Sequence, residues 1–104
     1  MAQFDIYPNP DTNTQQQIPY LLDIQAELLS HLTTRVVAPL YQKGNITNLL
    51  QKLNPILTMN DDIFVLSVGE LAAVPQAYLG APIANAYYAR ESIIAAIDLL
   101  ITGI

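Results

Sequence analysis

All seven prolines of this 104-residue chain fall at or before Pro82, and none follows. Proline has no amide hydrogen and a fixed φ, so it breaks helices and is kept out of central strands. A chain punctuated this way is expected to fold as short extended runs and turns up to Pro82. Only the remainder is free to form a long helix.

The hydrophobic periods agree. Gln3-Phe4-Asp5-Ile6-Tyr7 alternates strictly, with Phe4 and Ile6 on one face, which predicts a half-buried first strand. Pro8-Asn9-Pro10-Asp11 breaks it, and polar residues 12–17 predict an exposed loop. A strand resumes over Tyr20–Ala26, with Leu22 and Ile24 on one face and Asp23 and Gln25 on the other. Arg35–Ala38 predicts a short strand closed by Pro39. Asn54–Met59 and Asp62–Val68 flank Asn60-Asp61, a hairpin signature without the usual glycine. Val74–Leu79 is a weaker strand, ended by Gly80-Ala81-Pro82. Asn45–Lys52 and Glu70–Ala73 depart from this pattern and are read as helical turns. Short strands separated by turns predict a small antiparallel barrel or curled sheet.

Beyond Pro82 the period changes. Ile93, Ile97 and Leu100 recur at spacings of four and three, flanked by Ile94 and Ile101. This predicts a helix from about Ala86 to Ile101, with Asn85 as N-cap and Gly103 as its C-terminal stop. Glu91, Ala95, Asp98 and Thr102 share the opposite face. That row is polar or small, as on the solvated back of a surface helix.

Charge and composition narrow the function. Hydrophobic residues make up 52% of the chain and charged residues 12%, too apolar for disorder and suited to a packed core. The length fits one domain. No apolar run reaches the roughly 18 residues of a membrane span. The opening MAQFDIYPNP lacks the regions of a signal peptide. There are no cysteines, which fits a reducing cytoplasm. The net charge is -5, and the four cations Arg35, Lys43, Lys52 and Arg90 are scattered. No phosphate-binding stripe exists, so any action on DNA is expected to pass through a protein partner.

No catalytic constellation emerges. His31 is the sole histidine, without a visible nucleophile, carboxylate or further metal ligand beside it. Asp61-Asp62 is the one acidic doublet, placed where a turn favours such residues. Phosphate loops, nucleophile elbows and dinucleotide fingerprints are missing. The expectation is a protein without enzymatic activity, cofactor or metal.

Five segments in order resemble the CcdB family of plasmid and chromosomal toxins. They are Gln3-Phe4 followed by Tyr7; Asp23-Ile24-Gln25-Ala26-Glu27-Leu28-Leu29; Arg35-Val36-Val37-Ala38-Pro39-Leu40; Val74-Pro75; and Ala96 through Ile104. Each is weak alone, but their order and spacing cover nearly the whole chain. The resemblance implies one CcdB-like domain over residues 1–104: an SH3-like curled antiparallel sheet, a small accessory sheet and a C-terminal helix, assembled as a two-fold homodimer. It also implies binding to the DNA gyrase A subunit, trapping of the cleaved gyrase–DNA complex, and neutralisation by a CcdA-like antitoxin. Family gyrase contacts carried over by position fall on Leu28, Leu29, Ala95, Asp98, Thr102, Gly103 and Ile104. Glu91 joins them on the face found by periodicity. The best-known members carry tryptophan where this chain has Thr102, and asparagine where it has Asp98; both changes resemble a chromosomal branch.

Three functions follow as alternatives. One is an active gyrase poison. Another, motivated by Thr102, is a non-toxic homologue that binds antitoxin alone. The third, a hydrolase or nuclease, lacks both the basic surface and the acid–base pair such a site needs.

Overall fold

Strands β1 (Asp5–Pro8) and β2 (Tyr20–Asp23) run antiparallel with Ile6 opposite Leu22, and β2 in turn pairs with β3 (Thr34–Gln42). The structure, a computed structural model, describes residues 2–43 and 52–103. The sheet continues through β5 (Asp62–Leu66) to β4 (Ile56–Met59), and at the other side through β1 to the two-residue β7 (Ala84–Asn85). Strand β6 (Ala72–Pro75) lies off this path, paired with β3. Every pairing is antiparallel. This is the expected fold class: a curled antiparallel sheet and one C-terminal helix, α1 (Arg90–Thr102).

Pro39 does not close its strand. β3 runs on to Gln42 because Pro39 occupies a hand-over point. Residues 34–37 pair with β6 and residues 40–42 with β5, both on the side away from β2. The Pro39 carbonyl accepts from the Ser67 amide at 3.0 Å, so its missing amide hydrogen points to the same side. No β2–β3 ladder bond is lost there.

Other boundaries shift for similar local reasons. β1 starts at Asp5 because Phe4 has φ 70° and turns the chain. β2 stops at Asp23, whose Oδ1 accepts from the Gln25 amide (2.9 Å) and turns the backbone before Ala26. The strand expected at Val74–Leu79 is displaced to Ala72–Pro75, and a 3-10 turn follows at Gln76–Tyr78. The helical turn expected at Glu70–Ala73 is centred earlier, at Val68–Glu70. Apart from Lys52, the turn expected over Asn45–Lys52 lies outside the described residues. The β4–β5 hairpin is as expected: Asn60 and Asp61 both have positive φ, 52° and 67°, the type I′ geometry that suits the strand twist.

The two sheet faces have different fillings. On one, Ile6, Leu22, Ala38, Leu40, Phe64 and Leu66 meet Ile93 and Ala96 of α1. On the other, Tyr7, Val37 and Leu79 form a smaller cluster with Leu21 and Val74. Helix α1 starts later than expected, after a 3-10 turn at Tyr87–Ala89. Asn85 is therefore not the N-cap of α1, a position held by Ala89; its side chain instead accepts from the Tyr87 amide at 2.8 Å, just ahead of the 3-10 turn. Gly103, with φ 76°, ends α1 in the left-handed conformation, its amide bonded to the Leu99 carbonyl. No described helix is long and apolar enough to cross a membrane.

Candidate protein-binding surface

Burial orients α1. Ile93 and Ala96 are buried, and Ile94 and Ile97 pack against the core from its edges. Glu91, Ala95, Asp98 and Thr102 are all exposed on the opposite face. The apolar stripe does not stay inside along its whole length. Leu100 is 38% and Ile101 72% exposed, because the last turn has passed the core residues of the sheet. Placing Ile101 within the buried stripe is therefore corrected. The period gives the right side of the helix, but not where its support ends.

The end of α1 is electronegative. Asp98 lies toward the carbonyl end of the helix dipole, and no basic residue occupies the last turn. Thr102 Oγ1 donates to the Asp98 carbonyl at 2.7 Å, which turns the hydroxyl back onto the helix. Gly103 is exposed. Ile104 lies outside the described residues.

The leucine pair sits on a separate 3-10 turn, Glu27–Leu29. Leu28 is 86% exposed and Leu29 41%. Burying a leucine side chain is worth roughly 1.5–3 kcal/mol, so an outward Leu28 is a large unused contribution. The turn is held from below by motif residues. Arg35 Nε donates to Asp23 Oδ2 at 2.7 Å, and Arg35 Nη2 to the Gln25 carbonyl at 2.9 Å. Gln25 Oε1 accepts from the Val36 amide, and Gln3 Nε2 donates to the Ile24 carbonyl. Gln3, Asp23, Gln25 and Arg35 are thus positioning residues under the loop.

The N-terminal end of α1 is pinned to both ends of the sheet. Asn85 Nδ2 donates to the Gln3 carbonyl and to Asp5 Oδ1, each at 3.0 Å. Tyr88 donates its hydroxyl to the Thr58 carbonyl of β4 at 2.7 Å, and burial raises its pKa. Tyr87 tilts against Phe4 with ring centroids 6.4 Å apart. These tyrosines, 68% and 64% exposed, are not singled out by the sequence reading. An adjacent aromatic pair just before a helix is the signal that could have found them.

The other singled-out residues are ordinary. His31 lies in an exposed turn and Asp61 in the hairpin turn. Among the described residues no three acidic or histidine side chains gather to hold a metal.

A family model of the CcdB protein matches residues 3–103. The chain belongs to the CcdB family. Its members are toxins of toxin–antitoxin pairs, and the segments that carry the resemblance lie within the match, Ile104 apart. A solved structure described as that of an Mtb toxin is similar in fold, with TM-score 0.66 and 21% identity, over 78% of this chain and 90% of that one. No curated protein sequence matches. Within this CcdB-family fold, the motif residues divide into two groups: those that build the loop and core, and those that α1 and the 27–29 turn present outward.

Proposed function

We propose that the chain is a homodimeric toxin that acts in the cytoplasm by binding the DNA gyrase A subunit, which it traps on cleaved DNA. A CcdA-like antitoxin neutralises it. The DNA-breaking chemistry belongs to gyrase, and the toxin supplies a surface. The observation that carries this reading is the outward row Glu91, Ala95, Asp98 and Thr102, bordered by the exposed Ile101. A polar row beside unused apolar area is what a protein interface needs at its rim and centre. Asp98 and the helix carbonyl end favour a cationic target group, so an arginine on gyrase would meet the carboxylate here. Leu28 and Leu29 would add an apolar contact.

Calorimetry of the purified protein against the central fragment of the gyrase A protein tests this. The comparison is a variant lacking Thr102-Gly103-Ile104. Binding by the full chain, lost in a folded variant, is the expected outcome. Equal binding by both would sink the site assignment.

One observation favours a second reading. The Thr102 hydroxyl is engaged by the Asp98 carbonyl, where the best-known members present a tryptophan ring. Without that stacking contact, worth about 2 kcal/mol when desolvated, the chain would bind antitoxin without poisoning gyrase. A gyrase–DNA–toxin complex detected by gel shift would exclude it.

A further inference from the structure

We infer that Tyr87 and Arg90 are specificity-determining contacts of the proposed gyrase-binding surface, which receive an acidic side chain of the target in the cleft they share. The inference rests on the gyrase reading above. The cleft lies at the start of α1, with Tyr87, Arg90 and Glu91 among its walls, and has a volume of about 480 Å³. One continuous segment forms it, so it does not enclose a ligand as a pocket built from several elements does. It suits a side chain presented by a docked protein.

The two adjacent tyrosines have different tasks. The Tyr88 hydroxyl is spent on the Thr58 carbonyl, which holds the start of α1 to β4. The Tyr87 hydroxyl has no partner among the described residues, although its ring rests against Phe4 and its amide on Asn85 Oδ1. Arg90 has no carboxylate partner either, since the one ion pair among the described residues is Arg35–Asp23. Ser92 Oγ, on the same cleft, is turned back onto the Ala89 carbonyl. Two donors are left unused, a phenol and a guanidinium. A carboxylate accepts from both, and charge-assisted bonds of this kind are stronger than neutral ones.

Tyr87 also joins two parts of the surface that are otherwise separate. Glu91 follows it one helical turn later and lines the same cleft, so the row of Glu91, Ala95, Asp98 and Thr102 in effect begins at Tyr87. In the other direction, Phe4 donates its amide to the Asp23 carbonyl at 2.6 Å, and Gln3 Nε2 reaches the Ile24 carbonyl. From there the chain runs into the turn of Leu28 and Leu29. An exposed tyrosine between two contact areas is where binding energy concentrates. Charge gives the face a direction. Arg90 stands about 12 Å along the helix from Asp98, so the start of α1 selects an acidic group and its end a basic one. Glu91 borders the cleft on the side of Ala95, which leaves the incoming carboxylate to the Tyr87 side of Arg90.

The experiment is calorimetry of the full chain and its variants against the central fragment of the gyrase A protein, with a melting curve for each. Tyr87→Ala should weaken binding about tenfold, and Tyr87→Phe, which keeps the ring and loses the donor, by less. Arg90→Gln should weaken it about two- to fivefold, as for an exposed ion pair, and flatten its dependence on salt. Arg90→Glu should weaken it further. Tyr88→Phe should lower the melting temperature while affinity stays within about twofold, because its hydroxyl bonds within the fold. Unchanged affinity in the Tyr87 and Arg90 variants would overturn the inference and leave gyrase binding standing. Tighter binding by Arg90→Glu would overturn the acidic occupant. A loss in Tyr88→Phe equal to that in Tyr87→Ala would trace the effect to the seating of α1 and overturn the contact. No binding by the unmodified chain would bring down the gyrase reading and this inference together.

Discussion

Arg35 and Asp23 form an ion pair at 2.7 Å with both side chains wholly buried. The pair joins β3 to β2 under the turn that presents Leu28 and Leu29. Arg35 Nη1 is buried without a hydrogen-bond partner, so the guanidinium is not fully satisfied and its hold depends on Asp23. Asp23→Ala would leave a buried uncompensated charge, costing about 3–5 kcal/mol. Urea unfolding measures it. The double variant D23L/R35M should recover most of the loss; a loss equal to the single variant's would mean that the charge itself is needed.

Ile101→Ser separates binding from folding. The side chain is 72% exposed, so stability should stay within about 0.5 kcal/mol. Affinity for the gyrase A fragment should fall about tenfold, the equivalent of 1.4 kcal/mol. A drop in melting temperature with unchanged affinity would reverse the assignment of this residue.

Three tyrosines should titrate late. Tyr7 is pushed up to about 12, chiefly by burial and then by Asp5 and Asp23. Tyr41 is pushed up to about 12 by burial, with the Glu70 carboxylate holding its proton. The folded state thus keeps protons that the unfolded chain releases near 10. Their contribution to stability is complete below pH 10 and lost as pH climbs toward 12. An absorbance titration should show Tyr7, Tyr41 and Tyr88, which burial also raises, ionising late, and Tyr41→Phe should remove one of these late steps. Simultaneous ionisation of all six tyrosines in the folded protein would contradict the burial argument.

Asp61→Gly should stabilise the β4–β5 hairpin. Asp61 holds φ 67°, a conformation that costs an L side chain about 1 kcal/mol. Thermal melting should rise by about 4–8 °C per kcal/mol for a chain near this size. No gain would imply that the aspartate side chain offsets its own strain.

Fold class and helix face were readable because both rest on period. Alternation put Ile6 and Leu22 each on the apolar face of its strand, and the spacing of Ile93 and Ile97 turned α1 the right way. Events at strand partners were not readable. Pro39 looks like a terminator until its missing donor is seen to face the gap between β6 and β5. Asp23 looks like an outward residue of an alternating strand until Arg35 buries it. Ile101 carries the same period as Ile94, and only the reach of the sheet separates them.

The pairing of β1 with β7 has a mechanical consequence. Asp5 stands opposite Asn85 and Ile6 opposite Ala84, so the chain enters β1 and leaves β7 at the same end of the pair. Tension applied between the N-terminal segment and α1 would load these hydrogen bonds one after another, as a zipper opens, instead of shearing them together. The clasp made by Asn85 on Gln3 and Asp5 stands at the head of that zipper. The clasp thus joins residues eighty apart in sequence, and it would bear the load once Ile93, Ala96 and Tyr88 had come away from the sheet.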